Sequence, residues 1–118
     1  MKLTERQAIE KSIELWEWLA ETGEDKDDWL GWKRNGGKYS DHISGDCFLC
    51  EYTKRLSCTE CPYNLHYKYV CQWDNTPYAN WEGSYGNIGQ RKRYAQQFLI
   101  QLKALLDDKE TVTVEEVK

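Results

Sequence analysis

No apolar run in this chain approaches the roughly 20 residues that a helix needs to cross a bilayer. We also expect no export signal, because the N-terminus begins with an amphipathic pattern in place of a continuous apolar segment. Nor is there a basic excess, since 16 Lys and Arg face 20 Asp and Glu and the formal net charge is -4. These absences predict a cytosolic protein and argue against a general binder of duplex DNA, which needs a basic face to neutralise phosphates.

Length and composition predict one globular domain. The 118 residues are 40% hydrophobic, 14% aromatic and 31% charged, a balance typical of a chain that folds and stays in water. At this length the hydrophobic core is modest, so a bound metal would contribute usefully to stability. We therefore expect a single domain over residues 1–118.

Two C-x-x-C pairs and a later fifth cysteine are the most informative pattern in the chain. Each pair places two thiolates on one face of a tight turn, and two such turns supply the four soft ligands of a tetrahedral zinc centre. The short spacer between the pairs predicts a compact, mostly irregular lobe. The predicted ligands are Cys47, Cys50, Cys58 and Cys61, with Cys71 as an alternative ligand or a buried thiol.

Other uses of the cysteines have less support. An odd cysteine count without an export signal favours reduced thiols and metal over a disulfide framework. An iron–sulfur cluster competes with zinc because Cys-Pro, present here as Cys61-Pro62, follows the final ligand in some ferredoxins, although neither ferredoxin spacing is matched. A zinc centre closed by four thiolates has no open coordination position, and no Glu or His stands as in a metal-assisted hydrolase, so we do not expect an enzyme.

An amphipathic helix is predicted near the N-terminus, over residues 4–22. Thr4 and Gln7 match a capping box, in which each residue satisfies an exposed backbone amide of the other, and Gly23 is placed as the left-handed C-cap. Apolar positions form one arc and glutamates a stripe on the other side. The arc comprises Ala8, Ile9, Ile13, Leu15, Trp16, Leu19 and Ala20, and the stripe comprises Glu10, Glu14, Glu17 and Glu21.

A second amphipathic helix is predicted over residues 90–107. We expect it to pack antiparallel on the first, with the Cys-rich zinc lobe at 46–71 between them, in a mainly α, metal-stapled domain. The apolar arc comprises Tyr94, Ala95, Phe98, Leu99, Leu102, Leu105 and Leu106. The other predicted segments are a Trp-rich turn and loop over 23–45 that begins with a solvated acidic turn, an aromatic and Gly-rich loop over 72–89, and a loose acidic tail over 108–118.

Two apolar side chains fall off the predicted core arcs. Trp18 projects nearly opposite Trp16, beside the acidic stripe, and Ile100 falls among polar residues of the second helix. A tryptophan with a charged surround is typical of an interface hot spot. We therefore predict a partner-binding face formed by Glu14, Glu17, Trp18 and Ile100.

A glycine-rich loop before the second helix indicates an alternative function. A cationic run at a helix N-terminus opposes the macrodipole, and glycines with the amides that follow them can cradle a phosphate or a carboxylate. The tyrosines upstream offer a stacking platform for nucleobases. The candidate anion-binding residues are Gly86, Gly89, Arg91, Lys92 and Arg93, in a loop that matches neither a Walker A motif nor a dinucleotide fingerprint.

Several motifs extend over nearly the whole chain: ELWEWLA at 14–20, DWLGW at 28–32, CFLCEY at 47–52, C-x-x-C-P at 58–62, Cys71, PY at 77–78 with Trp81, and RKRYA-x-x-F at 91–98. In this combination the chain resembles small cysteine-rich proteins encoded by bacteriophages and prophages. The resemblance implies a phage accessory protein in the bacterial cytoplasm that binds and redirects or blocks a host protein, such as a defence protein. It implies no catalytic residues, and nucleotide or nucleic-acid binding stays the alternative.

Overall fold

The computed structural model describes residues 3–39, 43, 47–53 and 61–117, with side chains as far as Asp107. Within these ranges the protein is mainly helical and contains no strand, as the fold-class prediction required. None of the described helices combines the length and the apolar character that crossing a bilayer demands. The five α-helices are α1 (Glu5–Thr22), α2 (Phe48–Thr53), α3 (Pro62–Tyr67), α4 (Pro77–Gly83) and α5 (Ile88–Val117), with short 3-10 turns at Lys26–Asp28 and Lys33–Asn35.

Helix α1 begins and ends where its local signals place it. The Thr4 hydroxyl accepts a hydrogen bond from the Gln7 N–H at 3.1 Å, and the Thr4 N–H donates to the Gln7 side chain at 3.0 Å. At the other end Gly23 adopts φ +71°, and its N–H donates to the Leu19 carbonyl. The predicted capping box and the left-handed C-cap are both confirmed, because each depends only on neighbours within one turn.

The two long helices lie side by side and run in opposite directions. Gly23, at the end of α1, faces the start of α5, where a Cβ on this glycine would lie 2.6 Å from the Cγ2 of Ile88. Further along both helices, the Lys103 ammonium lies 3.9 Å from the Glu17 carboxylate. Of the predicted arcs, Ile13, Tyr94, Leu99 and Leu106 are partly buried and pack against the core, and the other members are fully buried.

Aromatic rings fill the space between the helices. Trp16 of α1 is the centre of one cluster, with its ring centroid 4.9 Å from that of Trp81 and 4.6 Å from that of Phe98. In the second cluster Trp32 stacks on Phe48, with 5.3 Å between the ring centroids. Because these rings come from distant segments, the first cluster connects α1 to α4 and α5, and the second connects the loop after α1 to α2.

Segment boundaries after α1 differ from the prediction in three places. The region expected as an irregular lobe contains α2 and α3, and the expected loop over 72–89 contains α4, whose first amides are capped by the Thr76 hydroxyl at 3.1 Å from the Ala79 N–H. Helix α5 begins at Ile88 and continues to Val117, so the segment expected as a loose acidic tail is helical. Thr76 and Asn87, which lie in the segment predicted as a loop, are helix-capping residues.

Candidate metal centre

Four cysteines from three separate segments line one cavity of about 300 Å³. They are Cys47 and Cys50 at the start of α2, Cys61 before α3, and Cys71 in the turn before α4. Helices α1 and α5 supply apolar walls to the same cavity. The fifth cysteine, Cys58, lies outside the described residues, so its predicted role as a ligand stays a prediction.

The first C-x-x-C pair has the geometry that the motif predicts. Cys47 precedes α2, and its carbonyl accepts the hydrogen bond of the Glu51 N–H at 3.0 Å. The Cys50 N–H donates to the Cys47 sulfur at 3.3 Å. One turn of α2 therefore presents both thiols to the same side, as two ligands of one centre require.

Cys61 and Cys71 line the cavity from later segments of the chain. Cys61 is the N-cap of α3, and Pro62 occupies the first helical position, where its missing N–H costs no hydrogen bond. Cys71 is held by the Thr76 hydroxyl, which donates to its carbonyl while also capping α4. The same threonine thus sets the position of the cysteine turn and the start of the next helix.

The cysteines that line the cavity affect the pKa values of Cys47 and Cys50. The pKa of Cys50 is raised, first by its hydrogen bond to the Cys47 thiolate and by burial, and then by the negative charges of Cys47, Cys61 and Cys71. The pKa of Cys47 is lowered to about 6, chiefly because the Cys50 thiol donates to it, with a smaller contribution from the positive charge of Lys26. Four sulfurs therefore share one electrostatic environment.

Lys26 supplies a buried positive charge to this cavity. Only 9% of its surface is exposed, and its ammonium donates to the Tyr78 hydroxyl at 2.8 Å while lying 5.0 Å from the centre of the Tyr78 ring. A buried ammonium is costly unless negative charge lies nearby, and the Cys47 thiolate provides it. The expected solvated turn over residues 24–28 is therefore wrong at Lys26, which lies within a run of acidic residues and carries no local signal of burial.

The four thiols suit a metal chemically, but they are not gathered around a single point. In the described ranges, no three His, Cys, Asp or Glu side chains are grouped closely enough to hold one metal ion. The zinc lobe predicted from the two C-x-x-C pairs therefore has no support here as a closed single-ion centre. Three of its proposed ligands do share the cavity, and the fourth thiol beside them is Cys71.

A hydrogen-bonded cluster of tyrosines connects the cysteine segments to α5. The Tyr63 hydroxyl donates to the Gln101 side-chain oxygen at 2.6 Å, and the Gln101 amide nitrogen donates to the Tyr69 hydroxyl at 3.0 Å. The Tyr67 hydroxyl donates to the Gln101 backbone carbonyl at 2.8 Å. These bonds hold α3 and the turn before Cys71 against one position of α5. No sequence pattern singled out Gln101, because its partners lie more than thirty residues away.

The predicted anion-binding cations do not share one surface. Arg91 is only 5% exposed, and its guanidinium lies 4.0 Å from the centre of the Trp81 ring and 3.9 Å from the Asp25 carboxylate. Arg91 is therefore part of the core and not of an accessible anion site, which corrects the prediction for this residue. For Lys92, Arg93 and the glycines Gly86 and Gly89, anion binding stays a prediction; Gly86 adopts φ +87°, as its turn requires.

The predicted partner-binding residues divide into two groups. Glu14 is engaged within the protein, since its carboxylate accepts from the Tyr39 hydroxyl at 2.8 Å and lies 3.6 Å from the Lys38 ammonium. Trp18 is half-buried and packs against the core. Glu17 and Ile100 are exposed, and Ile100 lies one turn from Lys103, the ion-pair partner of Glu17.

No protein-family model matches this chain, and no curated protein or solved structure matches it either. The resemblance to cysteine-rich phage proteins therefore stays a prediction. Function has to be inferred from the cysteine cavity and from the exposed surface around it.

Proposed function

We propose that this protein is a small metal-stabilised binding module, of the phage accessory type, that acts on a protein of the bacterial cytoplasm. The observation that carries the proposal is the convergence of Cys47, Cys50, Cys61 and Cys71 on one cavity. Four thiols form a complete ligand set for a structural centre, with no position left open for a substrate.

A metal would connect helices that are too short to be stable by themselves. Helices α2 and α3 have only six residues each, and isolated helices this short are not stable in water. Ligands on α2, before α3 and before α4 would tie all three segments to one centre. Binding free energy at such a centre is also folding free energy, so metal removal should lower the melting temperature strongly.

The exposed surface supports the binding role. Ile100 is 68% exposed, and the Glu17–Lys103 ion pair lies beside it. We name these three residues the Ile100 surface. A single apolar side chain surrounded by polar residues that exclude water has the composition of an interface hot spot, where one truncation costs about 2 kcal/mol or more.

Metal analysis of cysteine variants tests the ligand set. Cys71→Ser should lose the metal together with cooperative melting, whereas Cys58→Ser should keep both, because Cys71 completes the described cavity. Metal loss in Cys58→Ser with retention in Cys71→Ser would restore the ligand set expected from the two C-x-x-C pairs. A purified protein with no metal at all would overturn the metal part of the proposal.

Affinity capture from bacterial lysate tests the binding role. We expect Ile100→Lys to leave the melting temperature and metal content unchanged while reducing capture of a host protein at least tenfold. Leu30→Lys is the matched control, since Leu30 is 66% exposed and lies in a different segment. Equal capture by both variants and the parent protein would remove the Ile100 surface from the proposal.

A further inference from the structure

The size of the cysteine cavity bears on which metal centre it holds. In a zinc–thiolate site each sulfur lies about 2.3 Å from the ion, so the sulfurs are about 3.8 Å apart and almost touch one another. Such a site leaves no space between its ligands. The cavity here has a volume of about 300 Å³, enough for on the order of ten water molecules.

The positions of the thiols, like the cavity volume, favour a centre larger than one zinc ion. No three potential ligands in the described part of the chain are grouped around one ion, yet Cys47, Cys50, Cys61 and Cys71 all line the same cavity. Four thiols are therefore near one another without being in single-ion contact. A group of several atoms that contains more than one metal ion would occupy the space between them.

The surroundings of the cavity suit a bulky anionic group. Most of its wall is apolar, with Trp16, Phe48 and Phe98 among the lining residues. The atoms that line an empty apolar space of this volume would lack dispersion contacts on one side. The buried Lys26 ammonium faces the same space and offsets negative charge there. The Cys50 N–H also donates to the Cys47 sulfur, and hydrogen bonds to sulfur are among the features that tune iron–sulfur centres.

We propose that the cavity holds an iron–sulfur cluster ligated by Cys47, Cys50, Cys61 and Cys71. This inference rests on the proposed metal centre and names its chemical class. Four cysteine thiolates are the ligand set of both [2Fe–2S] and [4Fe–4S] clusters. The inorganic sulfides and irons would fill the space that a lone zinc ion leaves empty.

The test is elemental analysis of the full chain purified without oxygen, followed by reconstitution of metal-free protein with ferrous iron and sulfide or with zinc chloride. We expect iron and acid-labile sulfide in equal amounts, negligible zinc, and a visible absorption band that bleaches on reduction. Cys71→Ser should lose the iron and the sulfide, and Ser12→Ala, a control at a residue that lines the same cavity without a thiol, should retain both.

Each other outcome has a distinct meaning. Zinc at about one ion per chain without sulfide overturns the cluster and leaves the proposed metal-stabilised module intact. Iron without sulfide also overturns the cluster, because it indicates a single iron ion. Neither metal, before or after reconstitution, overturns this inference and the metal part of the proposed function together.

Discussion

Replacing Gln101 by Leu should destabilise the protein far more than its position on a helix surface suggests. The substitution conserves approximate size and helix propensity but removes the acceptor of the Tyr63 hydroxyl and the donor to the Tyr69 hydroxyl. Two hydrogen bonds of this type contribute about 0.5–1.5 kcal/mol each. Tyr63 is a fully buried residue, so the loss of an acceptor for its hydroxyl adds a desolvation penalty.

The expected loss is therefore about 2–3 kcal/mol in the free energy of unfolding. For a chain of 118 residues the entropy of unfolding near the midpoint makes 1 kcal/mol equivalent to about 4 °C. Gln101→Leu should thus lower the melting temperature by about 8–12 °C. Gln97→Leu, the same chemical change at an exposed position one turn earlier, should change it by less than about 2 °C.

Calorimetry of both variants checks the magnitude, and a double-mutant cycle checks the cause. Tyr63→Phe removes the hydroxyl whose acceptor Gln101→Leu removes, so the double variant should lose less stability than the sum of the two single changes. Strict additivity, or equal melting temperatures for the variants at positions 97 and 101, would refute the role assigned to Gln101.

Two further predictions concern residues that pack against distant segments of the chain. Gly23→Ala should lower the free energy of unfolding by about 1–3 kcal/mol, because φ is +71° and the new Cβ would meet Ile88. Gly83→Ala, which has open space at its Cβ, should be neutral or slightly stabilising. Equal melting temperatures for the two variants would contradict this prediction. Arg91→Met should lower the free energy of unfolding by about 1–3 kcal/mol in urea titrations, because it removes the contacts of Arg91 with Trp81 and Asp25. Arg93→Met, at an exposed position, should change it by less than about 0.5 kcal/mol. An unchanged free energy of unfolding in Arg91→Met would contradict the assignment of Arg91 to the core.

Local chemistry explains which elements could be predicted from the sequence. The ends of α1 depend on Thr4, Gln7 and Gly23, which act within one turn, and the apolar arcs of both long helices follow from their period. The C-x-x-C turn at Cys47 and Cys50 is equally local. By contrast, Thr76 and Asn87 cap α4 and α5, and the sequence alone does not distinguish this role from a loop, since the same residues favour both.

Only the tertiary structure decided which residues form the site. Cys71 joins the first C-x-x-C pair and Cys61 because α3 and the turn after it are held against α5 through Gln101, a contact across more than thirty residues. The burial of Lys26 and Arg91 has the same origin: each cation lies against aromatic rings and opposite charge supplied by distant segments. The sequence by itself determined the ends of α1, the apolar arcs of the two long helices and the thiol chemistry, because these depend on neighbours along the chain, and the fold determined which thiols and charges meet.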